Sequence, residues 1–468
     1  MIRATWTTSI LLGVAVSAVQ GQVPTDAFLN QQRLLEEEVR SELNTELPAD
    51  QKVELRWGGW YSFWNLLWDD GINSSRQFRQ HDLRLWGSLG LDEGTHQFYV
   101  RGKFQREDFN QGDSFDGGDG DWIGPNLDRA FYEFDLARAA KAYRNETLDD
   151  WNFRFKVGRD LVEFGTGYAL SLPMDHVLMT LELGDVELNA LGGTGIKSND
   201  DIDRTRPNKE YSNRNFWGAE LAYTGFKKHR PFVYAFWNDD QHGEGRYVPL
   251  QSWDYDSWYL GAGSTGELWQ NLRYGTELVF EHGDTYGWGD WYKRDEIHAW
   301  AYDINLEYLT QWKTKPRFLF EYMFASGDPD RRFRPTGSLG GNASGDDDAF
   351  NAFGYRDTGL SFAPRLTNVH IWRAGAAFTP FEKVEMLKNL ELGTDWFLYS
   401  KNRSDGAVSD GTANRESAFL GWEMDYFASW RITSDLAWTT RFGTFFPGRA
   451  FSDQTTRTFL LTGLTWSF

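Results

Sequence analysis

Residues 458–468 read TFLLTGLTWSF and end at Phe468. At period two, Leu460, Leu464, Trp466 and Phe468 fall on one face, and Gly463, Thr465 and Ser467 on the other. Such alternation marks a strand with two unlike faces. Large apolar side chains up to the last residue need an apolar surrounding on that side. In a soluble protein this would be a core. In a membrane it would be lipid, and the polar face would line the interior.

The same design recurs upstream. Ala418, Leu420, Trp422, Met424, Tyr426, Ala428 and Trp430 share one parity, while Ser417, Gly421, Glu423, Asp425 and Ser429 share the other with Phe419 and Phe427. Residues 297–308 oppose Trp300, Tyr302, Ile304, Leu306 and Tyr308 to Asp303, Asn305 and Glu307, and 390–399 oppose Leu390, Leu392, Trp396 and Leu398 to Glu391, Gly393 and Asp395. A slip of one residue would turn Glu423 and Asp425 into lipid. A basic charge there costs roughly 2–4 kcal/mol, an acidic one somewhat less, so register is strongly specified.

Composition narrows the class. There is no cysteine, which excludes disulfides and thiolate metal sites. Arg3, an apolar run over Ile10–Val19 and small residues up to Gly21 predict a signal peptide over 1–21. Residues 22–52 predict a short helical periplasmic segment, with Phe28, Leu34, Leu35, Val39 and Leu43 at helical spacing; a solvated tail is the simpler alternative. No segment offers the roughly 18 apolar residues of a membrane helix. Yet 17% of the chain is aromatic, with 23 Trp, at a mean hydropathy of −0.58. Barrels have this profile because only alternate strand residues touch lipid and aromatic girdles mark both interfaces. The net charge of −20 excludes nucleic acid as a partner.

From residue 53 the chain reads as eighteen strands, the first at 53–67 and the last at 456–468. One set of connections is tight: Asp92–Thr95, Gly184-Asp185, Phe226–His229, Thr265–Glu267, Trp312–Thr314 and Thr433-Ser434. The other set is long and polar, around 108–127, 197–213, 239–252, 284–295, 328–366 and 401–416. A sandwich has no reason to sort its loops in this way, whereas a bacterial outer-membrane barrel does. The expected fold is all-β, a transmembrane antiparallel β-barrel of about 18 strands over 53–468. Its C-terminal strand resembles a closing strand, and its expected partners are outer-membrane lipid and, through that strand, the barrel assembly machinery.

A barrel of 16–18 strands leaves an aqueous channel. The loop at 328–366, with Gly340, Gly341, Asp346–Asp348, Phe350, Phe353 and Tyr355, is the expected plug, the alternative being a mobile outer loop. Early strands place Arg56, Arg84, Arg101, Lys103, Arg129, Arg154 and Lys156 on the lumen parity. Late strands place Glu277, Glu281, Asp303, Glu307, Glu321, Glu391, Asp395, Glu423 and Asp425 there. A basic wall facing an acidic one would orient solutes, unless these charges merely pair across neighbouring strands. Asp113, Asp116, Asp119 and Asp121, like Asp346–Asp348, offer oxygen ligands suited to Ca²⁺. Their spacing is not that of an EF-hand, so solvated loop charge is the preferred reading and no metal or cofactor is expected. None of the eight His sits in a nucleophile motif, and no catalytic residue is expected; His298 and His370 fall on the outward parity. Trp288 and Trp291 could stack sugars or form part of a girdle.

At 128–136 the chain reads DRAFYEFDL, at 152–170 NFRFKVGRDLVEFGTGYAL, and at 320–330 FEYMFASGDPD. An arginine-aromatic strand, a strand closing on Gly-Arg and a glycine-containing loop resemble the alginate-export family of outer-membrane barrels. The resemblance implies eighteen strands and passive passage of an anionic polysaccharide through an arginine-lined pore. By position, Arg129 matches the strand arginine and Gly158-Arg159 the Gly-Arg pair, while Asp160 stands where the family pattern has Gln. Arg159 shares the outward parity of Phe155 and Val157, so facing the pore requires it to lie beyond the strand or after a bulge. The expected function is an outer-membrane channel of the alginate-export type for an anionic polysaccharide or other polar solute, not an enzyme. The alternatives are a general diffusion porin, a sugar-binding surface barrel and an outer-membrane hydrolase.

Overall fold

The structure is a computed structural model, and it describes residues 53–73, 75–113, 120–196, 213–241, 255–287, 294–337 and 341–468. The signal peptide, the N-terminal segment, Asp116, Asp119, Trp288 and Trp291 lie outside the described residues. Eighteen strands form one sheet: β1 (Val53–Asp69), β2 (Arg76–Leu91), β3 (His96–Phe109), β4 (Gly120–Asp135), β5 (Trp151–Phe164), β6 (Leu170–Leu183), β7 (Val186–Gly195), β8 (Arg214–Tyr223) and β9 (His229–Asp240) make one half. The second half is β10 (Asp256–Trp269), β11 (Leu272–Tyr286), β12 (Arg294–Leu309), β13 (Arg317–Ala325), β14 (Val369–Phe378), β15 (Leu390–Lys401), β16 (Phe419–Arg431), β17 (Leu436–Pro447) and β18 (Arg457–Ser467).

Each strand pairs antiparallel with its sequence neighbours, and β18 pairs with β1 from Trp60↔Ser467 to Asp69↔Thr458. The sheet closes on itself through β1 and β18, so none of the eighteen strands is an edge strand along its whole length. Phe468 completes the seam by exchanging two backbone hydrogen bonds with Gly59, both 2.9 Å. Leu464, Trp466 and Phe468 are exposed on the outside, while Phe459 and Leu461 are buried inside.

The outer surface carries Val100, Val157, Leu221 and Val233, all exposed. Trp57, Trp151, Trp269, Trp312 and Trp466 mark the end that holds the short turns. Toward the other end Trp237 stacks on Trp258 at 5.3 Å and Trp422 on Phe446 at 4.2 Å. An apolar band between two aromatic zones is the surface that lipid covers. Strands of nine or more residues, tilted, are long enough to cross it.

The structure departs from the sequence expectation in four places. β4 begins at Gly120, inside the stretch expected as the loop 108–127. The β10–β11 turn lies at Gln270-Asn271 rather than Thr265–Glu267. Asn271 takes φ 69°, a left-handed conformation that asparagine tolerates in tight turns. The periplasmic link between β4 and β5 holds a nine-residue helix, α1 (Leu136–Arg144), N-capped by Asp135. Finally, the sequence places the fifth and sixth strands at 151–159 and 177–183, whereas β5 runs on to Phe164 and β6 starts at Leu170, because their outer halves form a hairpin that leaves the wall.

Candidate functional site

Wall pairing of β5 to β4 ends at Arg159↔Ala130, and that of β6 to β7 at Met174↔Gly195. Between these limits residues 160–173 pair with neither wall neighbour; the two strands run on as a hairpin of their own and turn into the lumen. Gly158 makes the bend. It takes φ +134°, and a Cβ there would lie 2.2 Å from the Ala130 carbonyl oxygen, so only glycine fits. Outside the neck, Arg159 forms a two-bonded pair with Asp175, both bonds 2.8 Å, and donates to the Leu127 carbonyl. Arg159 thus lies within β5 and faces outward. It fixes the neck of the hairpin instead of lining the pore.

The β13–β14 connection, 326–368, supplies a second inward segment over 349–363. It lies beside the hairpin tip: Phe353 N donates to Ala169 O at 2.9 Å, Ser171 N to Phe353 O at 3.0 Å and Tyr355 N to Gly167 O at 3.0 Å. Gly354 permits this approach, since a Cβ would fall 1.8 Å from the Tyr168 carbonyl oxygen. Phe350, Tyr168 and Tyr259 are fully buried and pack together, and Phe362 stacks on Phe445 at 4.5 Å. A porin-sized barrel therefore carries an aromatic core in the part of its lumen that these segments fill.

The acidic wall holds these segments in place. Glu423 accepts the backbone N–H groups of Leu360, Ser361 and Phe362 at 2.7, 2.6 and 2.9 Å. Glu281 accepts from Asn351 N at 2.7 Å, Glu277 from Thr166 N at 2.6 Å and Glu220 from Gly165 N at 2.5 Å. Asp303 binds Arg356 through Nε at 3.1 Å and Nη2 at 2.9 Å. Burial alone would lower the Arg356 pKa, but Asp303, Glu321 and Glu277 outweigh it and hold the guanidinium charged beyond its usual range. A carboxylate receiving several N–H bonds is the charge-assisted arrangement that makes a buried acid tolerable.

The expected pore-lining acids therefore divide. Glu423 and Asp425 are buried under the inward segment, and Glu321 and Asp395 are buried against Arg373, at 3.3 and 3.0 Å. Glu391 stays accessible near the periplasmic end and pairs with Arg317 at 3.1 Å. The basic wall divides as well. Arg84 and Arg101 do not line open water: both are buried over the Trp60 ring, Arg84 on Asp82 at 2.9 Å and Arg101 on Asp128. Arg129 meets Asp160 at 3.2 Å, and Lys156 meets the same carboxylate at 3.1 Å. The aspartate at the family's Gln position thus neutralises the motif arginine. Lys103 is partly exposed, Arg56 pairs with Glu54, and Arg154 with Glu182 at 2.6 Å.

Between the two inward segments and β12–β14 lies a cavity of about 260 Å³. Glu163, Glu321, Asp357, Arg356 and Arg373 line it with Thr166, Ser171 and Asn305, and Arg373 pairs with Glu321 at 3.3 Å and with Asp357 at 3.1 Å. Glu163, exposed and receiving the Ser171 hydroxyl at 2.8 Å, is its accessible acid. Sequence periodicity missed Arg356, Asp357 and Glu163, because loop and hairpin-tip residues carry no parity signal.

A model of the family described as alginate export matches residues 198–460. Among solved structures, the chain is similar to OccK11 (OpdR) of Pseudomonas aeruginosa, with TM-score 0.53 and 15% identity over 89% of this chain and 96% of that one. It is similar to Pseudomonas aeruginosa OpdK with vanillate, TM-score 0.53, 11% identity, over 89% and 98%. A BenF-like porin from Pseudomonas fluorescens Pf-5 gives TM-score 0.53 and 12% identity over 90% and 100%. No curated protein matches it by sequence. At such identities these structures share the fold. The protein is an outer-membrane channel, and with more than half of its length matched, the chain belongs to the alginate-export family.

Proposed function

We propose that this channel passes small polar solutes by diffusion, with uncharged or cationic groups preferred, and that a polysaccharide chain enters only if the inward segments are displaced. The observation that carries this reading is the 260 Å³ cavity bounded by both segments, where Glu321 and Asp357 pair with Arg373 and Glu163 stays exposed. A cavity of this size suits a solute of a few rings or fewer. The vanillate held by the OpdK structure is such a solute. Acids at a constriction attract cations, since charged side chains set pore selectivity. The arginines that would draw an anionic polymer are largely paired with Asp82, Asp128 and Asp160. No GxxxxGK[ST] motif occurs, which fits transport without nucleotide hydrolysis.

Planar-bilayer recording with polyethylene glycols of graded size tests the reading. Small glycols should lower the conductance and large ones should not. Absence of conductance from folded protein sinks the channel, and free entry of large glycols restores the polymer reading.

A further inference from the structure

β13 stops at Ala325, opposite Ala301, which leaves the outer end of β12 without a strand on that side. Residues 346–348 of the long loop take the place: Asp347 N donates to Glu296 O at 2.8 Å, His298 N donates to Asp347 O at 2.9 Å, and Ile297 and Asp347 form a parallel bridge. Asp347 turns inward and binds the buried Arg331. Its neighbour Asp346 is exposed beside Glu296 and His298, which share the outward parity of β12.

We infer that Glu296, His298 and Asp346 form a site for a divalent transition metal of the Zn²⁺ class. One ligand atom from each lies within 4.8 Å of the others. His298 Nε2 is 3.4 Å from Glu296 Oε2 and 3.8 Å from Asp346 Oδ2. Ligands roughly 2.0–2.2 Å from a tetrahedral zinc stand about 3.4 Å apart. Small side-chain rotations therefore close the set. An imidazole with two carboxylates is a three-ligand set that leaves a position for water. Calcium prefers six to eight oxygens and gains little from an imidazole. A second imidazole stands beside the three: His282, cross-strand partner of His298, packs edge-to-face on it at 5.3 Å. None of these residues lines the 260 Å³ cavity, and the site does not depend on the channel reading.

The ligands come from two elements far apart in sequence. One is the wall strand β12. The other is the loop that runs on through Ala349 and Phe350 into the lumen. A bound ion would staple that loop to the wall at the point where it enters the barrel.

Titration calorimetry of the untagged, detergent-folded full chain with ZnCl₂ tests the site. Wild type should bind one ion, and His298→Ala and Asp346→Asn should each weaken binding by at least about tenfold. His370→Ala, another outward histidine, should not change it. The three ligand side chains are exposed, and heat-modifiable migration on gels checks that each variant is folded. Absence of Zn²⁺ binding in wild type, or binding unaffected by both cluster variants, overturns the site. Calcium binding that equals zinc binding and survives His298→Ala would make it a carboxylate site without the imidazole, which also overturns it.

Discussion

The Glu423 carboxylate, on the wall strand β16, accepts the backbone N–H of Phe362 at 2.9 Å from the inward segment of the β13–β14 connection. Leu360 and Ser361 share that carboxylate, and Gly359 passes over it. Charge-assisted bonds of this kind contribute roughly 1.5–3 kcal/mol each. Glu423→Ala leaves three amide donors without their acceptor. The expected outcome is a lower unfolding temperature together with frequent stepwise changes in single-channel current. Quiet traces at wild-type conductance would show that the segment is held elsewhere.

Arg356 and Asp303 form the second attachment; Asp303 is fully buried and the Arg356 side chain is 11% exposed. Removing one partner of a buried pair costs roughly 3–5 kcal/mol because the other charge stays behind. Arg356→Ala should therefore destabilise the barrel more than the double change Arg356→Met with Asp303→Leu. Thermal unfolding of the three proteins in detergent checks the order. An equal loss in single and double variants would mean that the ion pair is not what counts.

At Gly158, a side chain meets the Ala130 carbonyl at 2.2 Å and the backbone must leave φ +134°. Gly158→Val is expected to prevent the hairpin from entering the lumen, either raising conductance or blocking assembly. Folded yield and conductance measured together settle it. A folded variant with wild-type conductance would contradict the bend.

Selectivity should follow the accessible charges. Glu163 is exposed in the cavity, whereas Arg129 is largely buried and bound to Asp160. In a KCl gradient, Glu163→Lys should shift the reversal potential toward the anion side by more than Arg129→Glu shifts it toward the cation side. The reverse ranking would put the basic wall in control of the pore.

Burial pushes the Asp328 carboxyl up to about 7, and the nearby Asp347 adds to the shift, while the N–H groups of Asp330 and Asp348 oppose it. A folded-state pKa above the unfolded value of 3.8 means that the native state holds the proton more tightly. The stabilisation is full below about 3.8 and is lost as pH rises through about 7. Wild type should therefore lose more unfolding temperature between pH 5 and pH 8 than Asp328→Asn does. Parallel pH profiles of the two proteins would refute this.

The sequence alone determined the barrel. Lipid outside and water inside impose a period of two on every wall strand, and short turns alternating with long loops count the strands and orient them. Val157, Trp300 and Leu464 announce their side of the sheet through their neighbours, because β geometry is local. It also determined which acids point inward, including Glu277, Asp303 and Glu423. What those acids do was decided only by the tertiary structure. An alternating pattern states a direction and not a partner, and the partners come from non-periodic segments: Thr166 of the hairpin tip, and Arg356 and Phe362 of the long loop. Glycine at 158 could be read as a motif but not as a bend, since the bend exists only against the Ala130 carbonyl of the neighbouring strand. The acidic wall that sequence reading assigned to solute is largely occupied by the chain's own amides and arginines. Unsatisfied donors inside a barrel must find acceptors, and the nearest fixed ones are the wall carboxylates.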